Sequence, residues 1–148
     1  MRILIISLFF GAFPVAAVAE TRQCFEVLPG DERARTDDPE SIKITRLKIG
    51  RSGQYAYIAT QYLGAANLQA EVYLRVKDKY CSSGLLGEAT DFRVLNSASP
   101  GYWPIVVESK SGSTHFERSF RYDPKVKLYK ESSCRERLGI GKWVVCKE

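Results

Sequence analysis

The sequence predicts a mainly β domain, an antiparallel β-sandwich or small β-barrel of about seven or eight strands with at most one or two short helices, stabilised by disulfides. Three observations carry this. Apolar and polar residues alternate along Glu71–Lys79 and Thr114–Tyr122, the period of a strand with one buried face. Clusters of Gly, Ser, Asn, Asp and Pro punctuate the chain at short intervals. Beyond the N-terminal segment, no stretch carries the apolar stripe of period roughly 3.6 that marks an amphipathic helix.

The chain opens with Met1 and Arg2, an apolar run from Ile3 to Phe13, the breaker Pro14, and Ala17-Val18-Ala19. A short positive region, an apolar core and small residues at an A-x-A site form the pattern of a cleavable secretory signal, assigned to residues 1–19. The run is too short for a spanning helix, which needs about 20 apolar residues. Cys24 follows Thr21-Arg22-Gln23, the wrong setting for a lipid-modified cysteine. The expectation is an exported protein, periplasmic or secreted, with no membrane anchor after signal removal. Residues 20–148 have the size of a single β-rich domain.

Within that domain, Leu28–Ser41 is charged and proline-bounded, which reads as a loop or a short frayed helix. Ser41–Ile49 places Ile42 and Ile44 in one phase and Leu47 and Ile49 in the other, so a bulge is expected between Thr45 and Arg46. Arg51-Ser52-Gly53 is a turn, Gln54–Leu63 has the Tyr-rich and β-branched composition of a strand, and 64–67 breaks it. In Glu71–Lys79, Val72, Leu74 and Val76 point to the core, while Tyr73, Arg75, Lys77 and Lys79 point to solvent. A turn is expected at Cys81–Gly84, a short strand at Thr90–Leu95 and a loop at 96–101. Trp103–Val107 reads as a strand buried on both faces after Pro104. Lys110–Ser113 is a hairpin turn. Thr114–Tyr122 sets Phe116, Phe120 and Tyr122 against His115, Glu117, Ser119 and Arg121. Asp123-Pro124-Lys125 turns the chain, Val126–Lys130 returns it, and Lys142–Cys146 closes the fold.

All four cysteines lie in the mature part, and an even count in an exported chain reads as a disulfide framework with three connectivities. Pairing Cys134 with Cys146 is favoured because Gly139 and Gly141 let the short segment turn back. Cys24 and Cys81 then form the second bond. No metal is expected, because CxxC and HxxxH spacings are absent from the sequence.

The basic excess is modest, 22 Lys plus Arg against 17 Asp plus Glu, and signal cleavage would remove Arg2 from it. Acidic residues are interleaved throughout, so no nucleic-acid partner is expected. His115 is the one histidine, so any Ser–His–acid triad must use it, and on the strand reading it faces outward. Asp31, Glu32, Asp37 and Asp38 sit in a solvated loop, and Glu71 and Glu88 have no partner legible in sequence. Phosphate-cradling glycine loops are missing as well. The reading is a protein that is not an enzyme and takes no cofactor; the alternative is an enzyme acting on cell-envelope material through His115 or a carboxylate.

Ser111, Gly112 and Ser113 form a turn about thirty residues before the last cysteine, and Gly141-Lys142-Trp143 precedes Cys146. In its C-terminal third the chain therefore resembles the periplasmic C-type lysozyme inhibitors. That resemblance implies a small β-barrel that inserts a Ser-Gly-x-x-Tyr-like loop into the lysozyme cleft. The loop here would be Ser111, Gly112 and Ser113, with His115 or Phe116 in place of the tyrosine. The family's Trp-Lys-Gly element runs in reverse order in this chain.

Surplus aromatics on a sheet protein without reactive groups point to binding. The expected partner is a protein of the cell envelope, met either through the Ser111–His115 loop or through a face carrying Tyr73, Arg75 and Lys77. Oligomeric state is left open by the sequence.

Overall fold

The computed structural model describes residues 22–28, 42–62, 68–97 and 101–147. The segment expected to be a signal, the acidic stretch at 31–38 and the break at 64–67 lie outside the described residues.

Ten strands form two antiparallel five-stranded sheets, and among the described residues there is no helix. The first sheet contains β1 (Cys24–Phe25), β2 (Lys43–Lys48), β3 (Tyr55–Tyr62), β4 (Leu68–Val76) and β5 (Lys79–Ala89), in the order β1-β5-β4-β3-β2. The second contains β6 (Asp91–Val94), β7 (Ile105–Ser111), β8 (Thr114–Asp123), β9 (Leu128–Leu138) and β10 (Val144–Val145), in the order β10-β9-β8-β7-β6. Each sheet is essentially a meander. Consecutive runs of β-branched and aromatic residues pair with the neighbour that a tight turn makes available. The architecture is sandwich-like, with no closed barrel.

One core lies between the sheets. Ile49, Ile58, Val72, Leu74 and Leu86 from the first sheet meet Ile105, Val107, Phe120 and Tyr129 from the second. Gly84 sets how closely the layers approach: its φ is +141°, and a Cβ there would lie 2.7 Å from the Tyr129 carbonyl oxygen. Arg118 crosses the same gap, donating to the Glu88 carbonyl at 2.5 Å beside Gly87.

Several local expectations are corrected. The β2–β3 register is continuous from Lys43↔Thr60 to Lys48↔Tyr55, so Thr45–Arg46 holds no bulge. The phase change has another cause: both faces of the first sheet bury apolar side chains. Leu47 and Ile49 serve the main core, while Ile42 and Ile44 pack on a second cluster around Leu28, Ala59 and Tyr73. Lys79 starts β5 instead of ending β4, because the chain reverses at Lys77-Asp78 with Lys77 at φ 56°. Cys81–Gly84 is strand, paired with β4 across register shifts near Glu71. These small residues carry the sheet past the close approach at Gly84, where a turn composition looks the same in sequence. The return strand starts at Leu128 and continues to Leu138 through polar residues that alternation does not mark.

The strands that the sequence did not mark are β1 and β5, and the two-residue edges of the sheets are β1 and β10. Each is stapled. Cys24 bonds Cys81 on the adjacent strand with their Cα atoms 4.0 Å apart, and Cys146, just past β10, bonds Cys134 on β9. Two ladder residues hold an edge weakly, and a covalent link to the neighbouring strand keeps it in place. Arg22 adds to the first staple by donating to the Ser82 carbonyl at 2.8 Å and to Ser83 Oγ. All the described cysteines are therefore paired, a state that an oxidising, exported location allows.

Candidate functional site

Two loops meet at one end of the second sheet. The β7–β8 hairpin reverses through Gly112, whose φ of 58° suits a residue without a Cβ, and Ser111 pairs with Thr114 across the turn. Ser111, Gly112 and Ser113 are exposed, and His115 and Phe116 are half-buried just below them. Beside this turn, β9 ends and the chain loops through 139–143 to β10. Thr114 pairs with Leu138, and the Gly139 N–H donates to the Ser113 carbonyl at 2.9 Å. The two tips are thereby one surface.

That surface is apolar where it projects furthest. Ile140 is 104% exposed, Leu138 69% and Val145 80%, and Val144 is exposed as well. Gly139, in the left-handed region at φ 54°, makes the reversal, and the Cys134–Cys146 bond closes the loop behind it. Trp143 lies against the flank of β9 between two cations, with the Arg135 and Arg137 guanidinium carbons 4.9 and 4.8 Å from its ring centroid.

An ion ladder braces this flank across the outer face of the sheet. Glu117 on β8 accepts from Arg93 on β6 at 2.8 Å and from Arg135 on β9 at 2.7 Å, and Arg93 also reaches Glu108 at 2.6 Å. The Arg135 hydrogen bond, helped by Arg93, outweighs desolvation and holds the Glu117 carboxyl below its ordinary value. Arg135 is thus clamped by a carboxylate on one side and Trp143 on the other.

His115 sits between Lys110 and Arg137 in the ladder, and among the described residues it makes no hydrogen bond to a serine or a carboxylate. Glu71 gains partners that the sequence did not reveal: Tyr73 donates to Oε2 at 2.8 Å and Ser82 to Oε1 at 2.5 Å. Burial first, then Glu71, raises the Tyr73 hydroxyl well above the usual phenol value, so it stays a donor. Carboxylate and phenol brace β4 against β5. Comparison of the chain with protein-family models, curated proteins and solved structures gave no match.

The outward face assigned to β4 is split. Tyr73 is only 5% exposed, covered by Leu28, Ala59 and the Phe25 ring at 6.3 Å, because β1 and the residues after it fold over that part of the sheet. Arg75 and Lys77 remain exposed and line a cleft whose wall includes Tyr57, the cross-strand neighbour of Tyr73. The residues that sequence reasoning passed over are Leu138 and Ile140. Their signal was present as Leu-Gly-Ile-Gly inside a short cysteine loop, apolar residues on a backbone too constrained to fold them inward.

Proposed function

We propose that this is an exported, non-catalytic binding protein of the periplasm or the extracellular space, which captures a protein partner of the cell envelope through the joined loop end of its second sheet. The observation that carries the reading is the fully exposed Ile140 beside Leu138, held in place by a disulfide and hydrogen-bonded to the neighbouring hairpin. Each such side chain is worth about 1.5–3 kcal/mol when taken out of water, and here a partner would supply that cover. Trp143, Arg135 and Arg137 beside them are the residue types that dominate binding energies at protein interfaces.

The test is recovery of a partner from cell-envelope extract with the oxidised protein and with an Ile140→Asp/Leu138→Asp variant. Both residues are exposed, so the variant is expected to keep its β spectrum and its melting temperature. Wild-type protein recovers a partner that the variant loses. Equal recovery by both removes the loop end as the binding surface.

A narrower reading is inhibition of a C-type lysozyme by the Ser111–Ser113 turn. It is favoured by the position of that turn, exposed at the tip of the β7–β8 hairpin. Purified protein added in excess to a lysozyme turbidity assay slows lysis on this reading, and an unchanged rate eliminates it.

A further inference from the structure

Away from the loop end, the first sheet carries a concave site of a different character. Arg46 from β2, Tyr55 and Tyr57 from β3, Arg75 from the end of β4, Lys77 from the following turn and Tyr102 from the segment before β7 line a cleft of about 380 Å³. Among the described residues, no carboxylate lines it. Among the described residues, none of the three cations makes an ion pair, and Asp78, next to Lys77 in the turn, stands outside the lining. Three like charges drawn into one concavity repel each other, and an anion placed among them relieves that repulsion.

The walls are held in advance. The Arg46 guanidinium stacks 3.6 Å from the Tyr55 ring centroid, which fixes its plane and leaves its edge free to meet an oxyanion in a two-pronged bond. Tyr57 packs edge-on against Tyr80 at 5.1 Å. Tyr102 is anchored through Tyr122 at 4.6 Å, and Tyr122 through buried Tyr129 at 5.5 Å, an aromatic chain running back into the core. The neighbouring Trp103 N–H donates to the Ile49 carbonyl at 2.7 Å, tying the Tyr102 segment to the first sheet. Less is therefore lost in ordering the site when a ligand enters.

The dimensions say what kind of anion fits. A bare inorganic ion leaves most of this volume empty, whereas small-molecule sites begin at about 300 Å³. Tyrosine rings offer flat faces to C–H groups, and the Gln54 amide, also on the lining, offers a donor and an acceptor for ring hydroxyls. We infer that the cleft is a second binding site, independent of the loop end, for an acidic sugar whose phosphate or carboxylate is gripped by Arg46, Arg75 and Lys77.

Amide chemical-shift titration of the oxidised protein at low salt tests this with a hexose 6-phosphate, a hexuronate, the neutral hexose, inorganic phosphate and a short polyglutamate peptide. Both acidic sugars are expected to shift amides around Gly53–Tyr57 and Arg75–Lys77. The neutral hexose and inorganic phosphate bind at least about ten-fold more weakly, and Arg75→Ala/Lys77→Ala, which removes exposed unpaired side chains, weakens the acidic sugars by about ten-fold or more. Added salt weakens binding in parallel. Ile140→Asp/Leu138→Asp binds them like wild type, which separates this site from the protein-binding reading. Failure of both acidic sugars to bind at millimolar concentration, equal affinity in the double variant, equal affinity for inorganic phosphate, or tighter binding of the peptide each overturns the assignment.

Discussion

Removing the Cys134–Cys146 bond by a Cys134→Ser/Cys146→Ser double substitution perturbs stability and the candidate surface together. The bond joins residues 12 apart, whereas Cys24–Cys81 joins residues 57 apart. If cross-links act mainly by restricting the unfolded chain, loops of those lengths are worth about 3 and about 4 kcal/mol. The shorter bond also holds an edge strand of two residues, so its loss lets β10 and Trp143 detach while the rest stays folded, and about 3 kcal/mol is the upper figure. For a domain of this size that corresponds to a fall in melting temperature of about 10 °C. Urea unfolding followed by tryptophan fluorescence measures it, because the two tryptophans, Trp103 and Trp143, report on the inter-sheet segment and the stapled loop. The expected order is wild type, then the Cys134–Cys146 deletion, then the Cys24–Cys81 deletion. A larger loss for the shorter loop would refute the chain-restriction reasoning. Partner recovery by the freed loop should fall even in the absence of denaturant.

Gly84→Ala forces a Cβ to 2.7 Å from the Tyr129 carbonyl oxygen at a backbone φ of +141°, and is expected to cost at least about 2 kcal/mol in urea titration, the largest loss among single glycine substitutions in the described strands. Ile58→Ala at a fully buried position opens a cavity in the shared core and lowers unfolding free energy by about 3 kcal/mol, with the slope on urea unchanged. Glu117 has its carboxyl lowered in the folded state, so its contribution is complete above the ordinary value of 4.5 and is lost as pH falls through the lower folded value. Unfolding midpoints should be flat from neutral pH to about pH 5 and decline below that. Glu117→Gln should flatten the acid-side decline at a cost near 1 kcal/mol at neutral pH, since both arginine partners are more than 40% exposed and solvent screens the pairs.

Much of the fold was legible because strand signals are local. The alternation in β4 and β8, the apolar run in β7 and the turns at Arg51–Gly53 and Lys110–Ser113 each follow from neighbouring residues. Illegible features depend on what lies across a sheet. Ile42 and Ile44 in one phase with Leu47 and Ile49 in the other look like a bulge unless a second apolar cluster is known to cover the outer face. Glu131–Leu138 is strand because β8 holds its register through a shift after Ser119, and its own side chains give no such signal. Tyr73 shows the same gap at the level of function: in phase with Arg75 and Lys77 it reads as exposed, and only the fold of β1 over it makes it interior.

The chain by itself determined the β character, the positions of most turns and the presence of four cysteines suited to pairing, since each follows from side-chain period, backbone preference or redox chemistry. The tertiary structure alone decided which faces are covered, that the hairpin turn and the cysteine loop share one end, and that Arg46, Arg75 and Lys77 converge with tyrosines in a cleft. These residues are far apart along the chain, and their meeting is fixed by strand register and by the distance between two sheets, neither of which any short stretch of sequence encodes.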